Sequence, residues 1–174
     1  MLLKLNTWQK QKVFKQYYKS RIAEDTIRRQ SEIYRNYIVA ERDKLQALEK
    51  EIAKARDAAQ NLALSSEVRD AQKSLQETRE RDLASRTAAL RRYMAERNQL
   101  LSAAERDKRE EILKDIQAEV ARQAASAGYT FVLDSAGKTT AGLPAVLYAH
   151  PGADLTNRVL ERLNATATPP AETK

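Results

Sequence analysis

The sequence predicts a mostly α protein with a small β body, in which a long antiparallel helical hairpin, a coiled-coil arm, projects from a small sheet. The first observation is that residues 9 to 127 contain neither glycine nor proline, the strongest breakers of a helix interior. The second is that all four glycines and all four prolines follow this stretch, among short runs of β-branched and aromatic residues. Long helix followed by a short β segment is the simplest arrangement with both features.

The helical stretch is too long to be a single rod. At about 1.5 Å per residue it would extend roughly 180 Å, which one short C-terminal module could not support. We therefore expect the chain to fold back near residues 62 to 66, where Ser65 or Ser66 before Glu67 resembles a new helix N-cap. The residues before this point follow the 3-4 spacing of a coiled-coil seam: Leu45, Leu48, Ile52, Ala55, Ala59 and Leu62.

This reading gives one domain, residues 1–164, followed by a tail. The body is expected to consist of residues 1–22 and 128–164, and the hairpin of residues 23–127. The tail, residues 165–174, contains adjacent prolines and no apolar run, so we expect it to be disordered.

The N-terminal residues predict a short strand and then a helix. Residues 2 to 8 alternate in polarity, which would place Leu3, Leu5 and Thr7 on one side of the strand. The helix begins at about Gln9. Its first apolar stripe is more typical of a core than of a ligand site, and consists of Val13, Phe14, Tyr17, Tyr18 and Ile22.

The returning arm has a less regular seam than the outgoing one. Leu83, Leu90, Met94 and Leu101 mark an apolar face. Polar residues interrupt it at positions that a dry coiled coil fills with leucine or isoleucine, namely Thr78, Asp82, Arg86 and Arg97. A sparsely packed arm is predicted to bend and open readily, since little apolar contact holds it.

The pattern changes after Gly128, which suits a glycine that ends a helix. Residues 129–134 and 143–148 read as strands, and a short amphipathic helix follows Asp154 or Thr156. The first strand and these later strands are expected to share one sheet. We expect the body, or an interface between subunits, to be built from Val132, Leu133, Val146, Leu147, Leu155, Val159, Leu160 and Leu163.

The net charge of +7 comes from the helical stretch. Residues 1–127 hold 27 lysines and arginines against 20 acidic residues, whereas residues 128–174 hold four of each. Such an excess favours an anionic partner, which would be a nucleic acid, an acidic membrane surface or an acidic protein. Charges on a long helix are also often no more than a solvated face.

The sequence offers no enzyme signature. Gly137-Lys138-Thr139 resembles the end of a phosphate-binding loop, but the motif requires a glycine where Val132 stands and a helix directly afterwards. His150 is the only histidine and cysteine is absent, so we expect no metal site and no cofactor. The N-terminus is too short and too quickly polar for a signal peptide, and no run of about 18 apolar residues offers a membrane span.

Several segments together resemble the OmpH/Skp family of periplasmic chaperones. They are Gln11-Lys-Val-Phe14 followed by Tyr17-Tyr18-Lys19, the charged hairpin without breakers, Tyr129-Thr-Phe-Val-Leu-Asp134, Val146-Leu-Tyr148, and Asp154-Leu-Thr156 ahead of Val159-Leu160 and Leu163-Asn164. The resemblance extends to about Asn164. One departure is that the family often has an aspartate soon after its first strand, where this chain has Thr7-Trp8-Gln9-Lys10.

The resemblance implies a homotrimer whose strands form one β body, with three helical hairpins around a central cavity. Trimerisation would complete a sheet that has too few strands to be stable alone. Family members hold unfolded outer-membrane proteins in the periplasm without ATP and deliver them for membrane insertion. A signal peptide would then have been removed from the chain as given.

Within this picture the arms would carry the binding residues. Scattered apolar side chains would make many weak contacts with a client: Tyr34, Tyr37, Leu83, Leu90 and Met94. Adjacent basic pairs would attract acidic clients, anionic lipid or lipopolysaccharide: Arg28 with Arg29, Arg91 with Arg92, and Lys108 with Arg109.

Two other functions stay open from the sequence alone. One is a structural coiled-coil scaffold of the cell envelope, which would require a continuous dry seam. The other is nucleic-acid binding, suggested by a pI of about 9.6. No specific nucleic-acid motif is present and acidic residues are interspersed, so such binding would be weak and independent of sequence.

Overall fold

The computed structural model describes residues 4–165 and residue 167, and shows a mostly helical protein with one small sheet. In chain order the elements are β1 (Leu5–Trp8), α1 (Lys10–Gln16), α2 (Tyr18–Gln60), α3 (Ser66–Ala127), β2 (Phe131–Asp134), a short 3-10 helix (Pro151–Ala153) and α4 (Thr156–Asn164). The predicted fold class, two long helices with a small sheet, is confirmed. The tail expected to be disordered lies outside the described residues, apart from Ala165 and Ala167.

The two long helices are separated by a turn at residues 61–65, where polar side chains bond to the backbone. The Ala63 N–H donates to Asn61 Oδ1 at 3.0 Å, and the Val68 N–H donates to Ser65 Oγ at 3.4 Å. Ser65 therefore caps α3. A hydrogen bond from the backbone N–H of Glu67 itself, and then one from the Ser65 hydroxyl, lower the pKa of the Glu67 carboxyl, as expected for a carboxylate in a first helical turn.

The end of α3 is a Schellman motif at Gly128. This glycine has φ of +66°, a conformation that residues with a Cβ adopt at a cost. The Tyr129 N–H donates to the Ala124 carbonyl at 2.9 Å, and the Gly128 N–H donates to the Ala125 carbonyl at 3.3 Å. The role predicted for Gly128 is confirmed.

The helix predicted from Gln9 is interrupted at Tyr17. This residue has extended backbone angles, φ −70° and ψ 129°, although tyrosine is not a helix breaker. Asn164 of α4 satisfies the break: its Oδ1 accepts from the Tyr18 N–H at 3.0 Å, and its Nδ2 donates to the Gln16 carbonyl at 3.2 Å. The Tyr17 ring is buried in the core, so tertiary packing decides where α1 ends.

β1 and β2 form a two-stranded parallel sheet in which Leu5 pairs with Phe131 and Trp8 with Asp134. Of the residues expected on one side of this strand, Leu3 lies outside the described residues, Leu5 is 54% exposed and Thr7 is buried. Trp8 enters the core, and Thr7 is covered where its carbonyl accepts the Leu155 N–H at 2.8 Å.

Residues 143–148 do not form the predicted strand. Pro144 makes only an isolated bridge with Lys138, since proline has no N–H to contribute to a ladder. Leu147 is 89% exposed and Leu133 is 46% exposed, so within one chain neither belongs to the core. Leu147 lies in an unpaired segment, and Leu133 lies on the open face of the sheet. Val146 is half-buried.

The chain forms two compact units, Met1–Ile27 with Ala104–Lys174, here the body unit, and Arg28–Ala103, here the hairpin unit. The sequence analysis drew the division nearer the ends of the helices, after residues 22 and 127. Contacts shift it because α3 contributes several side chains to the body core. That core consists of Trp8, Val13, Tyr17, Ile112, Ile116, Val120, Leu155, Val159 and Leu163, with Val132 and Leu160 packed against it.

An ion pair in the body unit gives a prediction for pH. Lys19 Nζ donates to Asp115 Oδ2 at 2.6 Å, and this hydrogen bond raises the pKa of Lys19 above its ordinary 10.5. Stability from a raised lysine pKa is fully present below the unfolded-state value and is lost as pH rises through the folded-state value. We expect Asp115→Asn to cost at most about 1 kcal/mol, because the pair is partly solvated.

The difference in unfolding free energy between the Asp115→Asn variant and the unmodified protein should be constant between pH 6 and 9 and should become smaller above about pH 10.5. Urea denaturation of the two proteins across this range measures it. Lys114 pairs with Glu110 in full exposure, so Glu110→Gln is the matched control and should have a smaller effect. A cost that grows with rising pH would contradict the assignment.

None of the described helices combines the length and the hydropathy needed to cross a bilayer.

Candidate functional site

Three tyrosines and an arginine meet within the hairpin unit. The Tyr93 ring of α3 lies 4.5 Å from the Tyr37 ring and 6.2 Å from the Tyr34 ring of α2, measured between centroids. The Arg97 guanidinium lies 4.9 Å from the Tyr93 ring and 5.3 Å from the Tyr34 ring. These are favourable aromatic and cation–π contacts. We call this group the tyrosine cluster.

Elsewhere the hairpin unit packs loosely. Ala55 is its buried apolar residue, and the buried residues of α3 all lie in the body unit. The half-buried positions of α3 near the turn are polar: Arg69, Gln72, Gln76 and Arg79. Arg79 forms an ion pair with Glu51 of α2. Beyond the aromatic cluster, the two helices therefore pack through half-buried side chains, which are polar on α3 near the turn, rather than through the fully buried seam of a dry coiled coil.

The polar interruptions predicted for this seam are only partly found in it. Arg97 is half-buried, and its Nε is buried without a hydrogen-bond partner. Thr78 and Arg86 are exposed, and Arg86 Nε pairs with Asp82 Oδ1 at 2.8 Å. The difference arises because the seam follows positions 79, 83, 87, 90 and 94, one residue away from 78 and 86.

The candidate binding residues do not gather at one site. In the hairpin unit, Tyr34, Leu83, Leu90 and Met94 are half-buried, Tyr37 is 47% exposed, and Arg28, Arg29, Arg91 and Arg92 are exposed. Lys108 and Arg109 belong to the body unit. There Lys108 pairs with Glu111 at 2.8 Å, and the Arg109 guanidinium lies 5.1 Å from the Phe14 ring.

Apolar groups are exposed in the body unit at two places. Phe131 and Leu133 lie on one face of the sheet and Leu143, Leu147 and Tyr148 follow, each between 46% and 89% exposed. Separately, an apolar cleft of about 440 Å³ lies between α2 and α3. The cleft is lined chiefly by Ile22, Ala23, Ile27, Ala104 and Ile112. Exposed apolar area of this kind is typical of interaction surfaces.

The described residues contain no group of three or more histidines, cysteines, aspartates or glutamates arranged to hold a metal ion. The exposed apolar and basic side chains described above can offer a partner apolar contact and positive charge.

Comparison with known proteins decides the family. The family model described as outer membrane protein (OmpH-like) matches residues 7–163. The chain belongs to the OmpH-like family. The OmpH-like fold is shared by a crystal structure from Caulobacter crescentus CB15, described as a proposed outer membrane chaperone (OmpH-like). That match has a TM-score of 0.75 at 14% sequence identity and covers 96% of this chain and 87% of the other. A search of curated proteins finds no match.

Two structurally important residues of this OmpH-like chain were missed by the sequence analysis. Tyr93 is spaced three and four residues from Leu90 and Arg97, and that spacing was the available signal. The capping role of Asn164 had no local signal, because it bonds to residues about 146 positions away in the chain.

The tyrosine cluster gives a second prediction. Tyr93→Ala should weaken the hairpin unit by about 2 kcal/mol, because it removes two aromatic contacts and a platform for Arg97. Amide exchange of residues 28–103 should become about 30-fold faster. Mass-spectrometric hydrogen exchange measures this change.

The matched control is Tyr148→Ala, since Tyr148 is 80% exposed and belongs to the body unit. It should leave exchange in the hairpin unit unchanged. Equal exchange rates in the Tyr93→Ala and unmodified proteins would show that the cluster does not hold the helices together.

Proposed function

We propose that this protein is an ATP-independent holdase chaperone that binds unfolded outer-membrane proteins between its helical hairpins and delivers them for membrane insertion. The observation that carries the proposal is the OmpH-like family match over residues 7–163. The related fold of a protein described as a proposed outer membrane chaperone supports it. Its place of action would be the periplasm.

The geometry of the hairpin unit fits weak, multiple binding. Apolar side chains such as Tyr37, Ile33 and Leu100 are about half exposed or more, and the exposed Arg35 lies between Ile33 and Tyr37 in sequence. Each contact is small, but many contacts at high effective concentration give tight and reversible capture. Because the seam holds few buried side chains, the helices can separate to admit clients of different size.

The surface of the body unit fits self-association. Two-stranded sheets are marginal alone, and this one leaves Phe131 and Leu133 uncovered. We propose a homotrimer in which these residues, with Val146 and Leu147, pack between subunits. Three hairpins would then surround one cavity.

Positive charge supports two further contacts of the proposed chaperone. The exposed pairs Arg28 with Arg29 and Arg91 with Arg92 would attract acidic clients and anionic lipid or lipopolysaccharide at a membrane surface.

The apolar cleft beside Ile22 and Ile112 would accept single aliphatic side chains of a client.

Dilution of a urea-unfolded outer-membrane barrel protein tests the holdase activity. Light scattering is followed with and without this protein, in the absence of nucleotide. We expect aggregation to be suppressed near three chains per client. Unchanged aggregation in the presence of the folded protein would refute the proposal and favour a structural role in the cell envelope.

A further inference from the structure

We propose that Tyr37 of α2 and Tyr93 of α3 form an oxidation site, at which a one-electron oxidant joins the two long helices through a dityrosine bond. Both residues belong to the tyrosine cluster of the hairpin unit. The chain has no cysteine, so a disulfide cannot join these helices. The inference concerns the chemistry of two side chains and does not rest on the proposed holdase activity.

The two rings lie close enough to react with each other. Their centroids are 4.5 Å apart and their planes are tilted by 44°, at the short end of the range for aromatic pairs. The Arg97 guanidinium lies 4.9 Å from the centroid of the Tyr93 ring and helps to hold that ring in place. Because packing brings the rings together before the oxidant arrives, their coupling has the advantage of a reaction between groups that are already in contact.

Two other tyrosine pairs are less suited to this reaction. Tyr34 meets Tyr93 edge-on, with the centroids 6.2 Å apart. Tyr17 and Tyr18 are 5.1 Å apart, but Tyr17 is only 2% exposed and a bond between adjacent residues would leave the two long helices unconnected. Tyr37 is 47% exposed, so a dissolved oxidant can reach it, and Tyr93 is half-buried beside it. The closest pair of rings is therefore also an accessible one.

The reaction balances with a one-electron oxidant, such as a carbonate radical or a photogenerated ruthenium(III) complex, as its only co-reactant. Each phenol gives one electron to the oxidant and its hydroxyl proton to water, which leaves a phenoxyl radical. The two radicals combine, and a carbon–carbon bond forms between the ring carbons next to those that carry oxygen. The hydrogen on each bonded carbon then leaves as a proton while each oxygen gains one, so both rings become phenols again. In total the oxidant takes two electrons, water takes two protons, and the protein becomes two hydrogen atoms lighter.

The bond would close a loop of the chain between positions 37 and 93 and constrain the unfolded hairpin unit, as a disulfide does. Amide exchange of residues 28–103 should therefore become on the order of tenfold slower after oxidation. A hairpin held closed in this way could not separate its helices. If the proposed holdase function is correct, oxidation should thus lower client capture.

Photo-oxidation of the dilute full chain with a ruthenium(III) complex tests the site. Dityrosine fluorescence follows the reaction, and mass spectrometry of a digest identifies the joined peptides. We expect the main product to join Tyr37 to Tyr93. Tyr37→Phe keeps the ring but removes its phenol, so this product should disappear. Tyr34→Phe is the matched control, since Tyr34 belongs to the same cluster, and it should leave the yield nearly unchanged.

Isotope labelling separates this site from coupling between molecules. In an equal mixture of unlabelled and heavy-nitrogen-labelled chains, a bond within one chain joins two labelled or two unlabelled peptides. Circular dichroism verifies that both variants keep their helices, and oxidation of Tyr148, which is 80% exposed, verifies the dose of oxidant.

Four results would overturn the proposal. They are joined peptides chiefly of mixed label, a main product that joins Tyr34 to Tyr93, an undiminished dityrosine signal in Tyr37→Phe, and no dityrosine at a dose that oxidises Tyr148. Because the readout involves no unfolded client, failure here leaves the holdase test unaffected.

Discussion

Replacing Ile116 by alanine should lower the free energy of unfolding of the body unit by about 3 kcal/mol. Ile116 is fully buried and lies in the core with Val13 of α1 and Val159 of α4. Its truncation would leave a cavity where three helices meet, and such cavities collapse only in part. Urea denaturation followed by Trp8 fluorescence measures the effect, because Trp8 belongs to the same core.

Ile33→Ala is the matched control, since Ile33 is 60% exposed in the hairpin unit. It should cost less than about 1 kcal/mol. Equal costs for the two variants would mean that the core described for the body unit does not hold it together.

Replacing Arg28, Arg29, Arg91 and Arg92 together by glutamine should weaken client capture about tenfold at low salt. All four side chains are exposed on the hairpin unit, so we expect them to act on acidic clients by long-range attraction rather than by packing. Screening should reduce the difference to near zero at 1 M salt, where the Debye length is about 3 Å. Titration of a fluorescent unfolded client across a salt series gives the dissociation constants.

A control with the same change in net charge replaces Lys4, Lys12, Lys15 and Lys138 by glutamine, all exposed on the body unit. Its affinity should stay within a few-fold of the unmodified protein. If the unmodified protein, the arginine variant and the lysine control bind the client with the same affinity at every salt concentration, the arginine pairs have no electrostatic role in client capture.

Features determined by local chemistry were predictable from the sequence. The stretch without glycine and proline became two long helices, and the hydrogen bonds of Asn61 and Ser65 terminate them where those polar residues occur. Gly128 ends α3 because its positive φ suits glycine.

Features determined by tertiary contacts were not predictable. The helix is interrupted at Tyr17, although tyrosine is not a helix-breaking residue. The interruption occurs because the Tyr17 ring packs in the core and Asn164 accepts a hydrogen bond from the freed Tyr18 N–H. Residues 143–148 have strand-like composition but no neighbouring strand to pair with along their length. High β propensity means that the side chains of a segment fit a pleated sheet, but the segment forms a strand only where the fold provides a neighbouring strand.

The candidate site was predicted only in part, because helical periodicity is a local property and the alignment of two helices is not. The helical period placed Leu83, Leu90 and Met94 along the partly buried side of α3. The tyrosine cluster depends on which residues of α2 and α3 lie opposite each other, and the spacing within one helix does not determine that alignment. The Gln123 side chain donates to the Arg158 carbonyl 35 positions away in sequence, and no local spacing predicts such a contact.

Isolation of a chaperone–client complex tests the central claim most directly. An outer-membrane barrel protein unfolded in urea is diluted into buffer with this protein and without nucleotide, and the soluble fraction is analysed by size-exclusion chromatography with light scattering. We expect one soluble species with the mass of three chains and one client, in which the client lacks barrel structure by circular dichroism. Elution of this protein without client, with the client recovered as aggregate, would contradict the account.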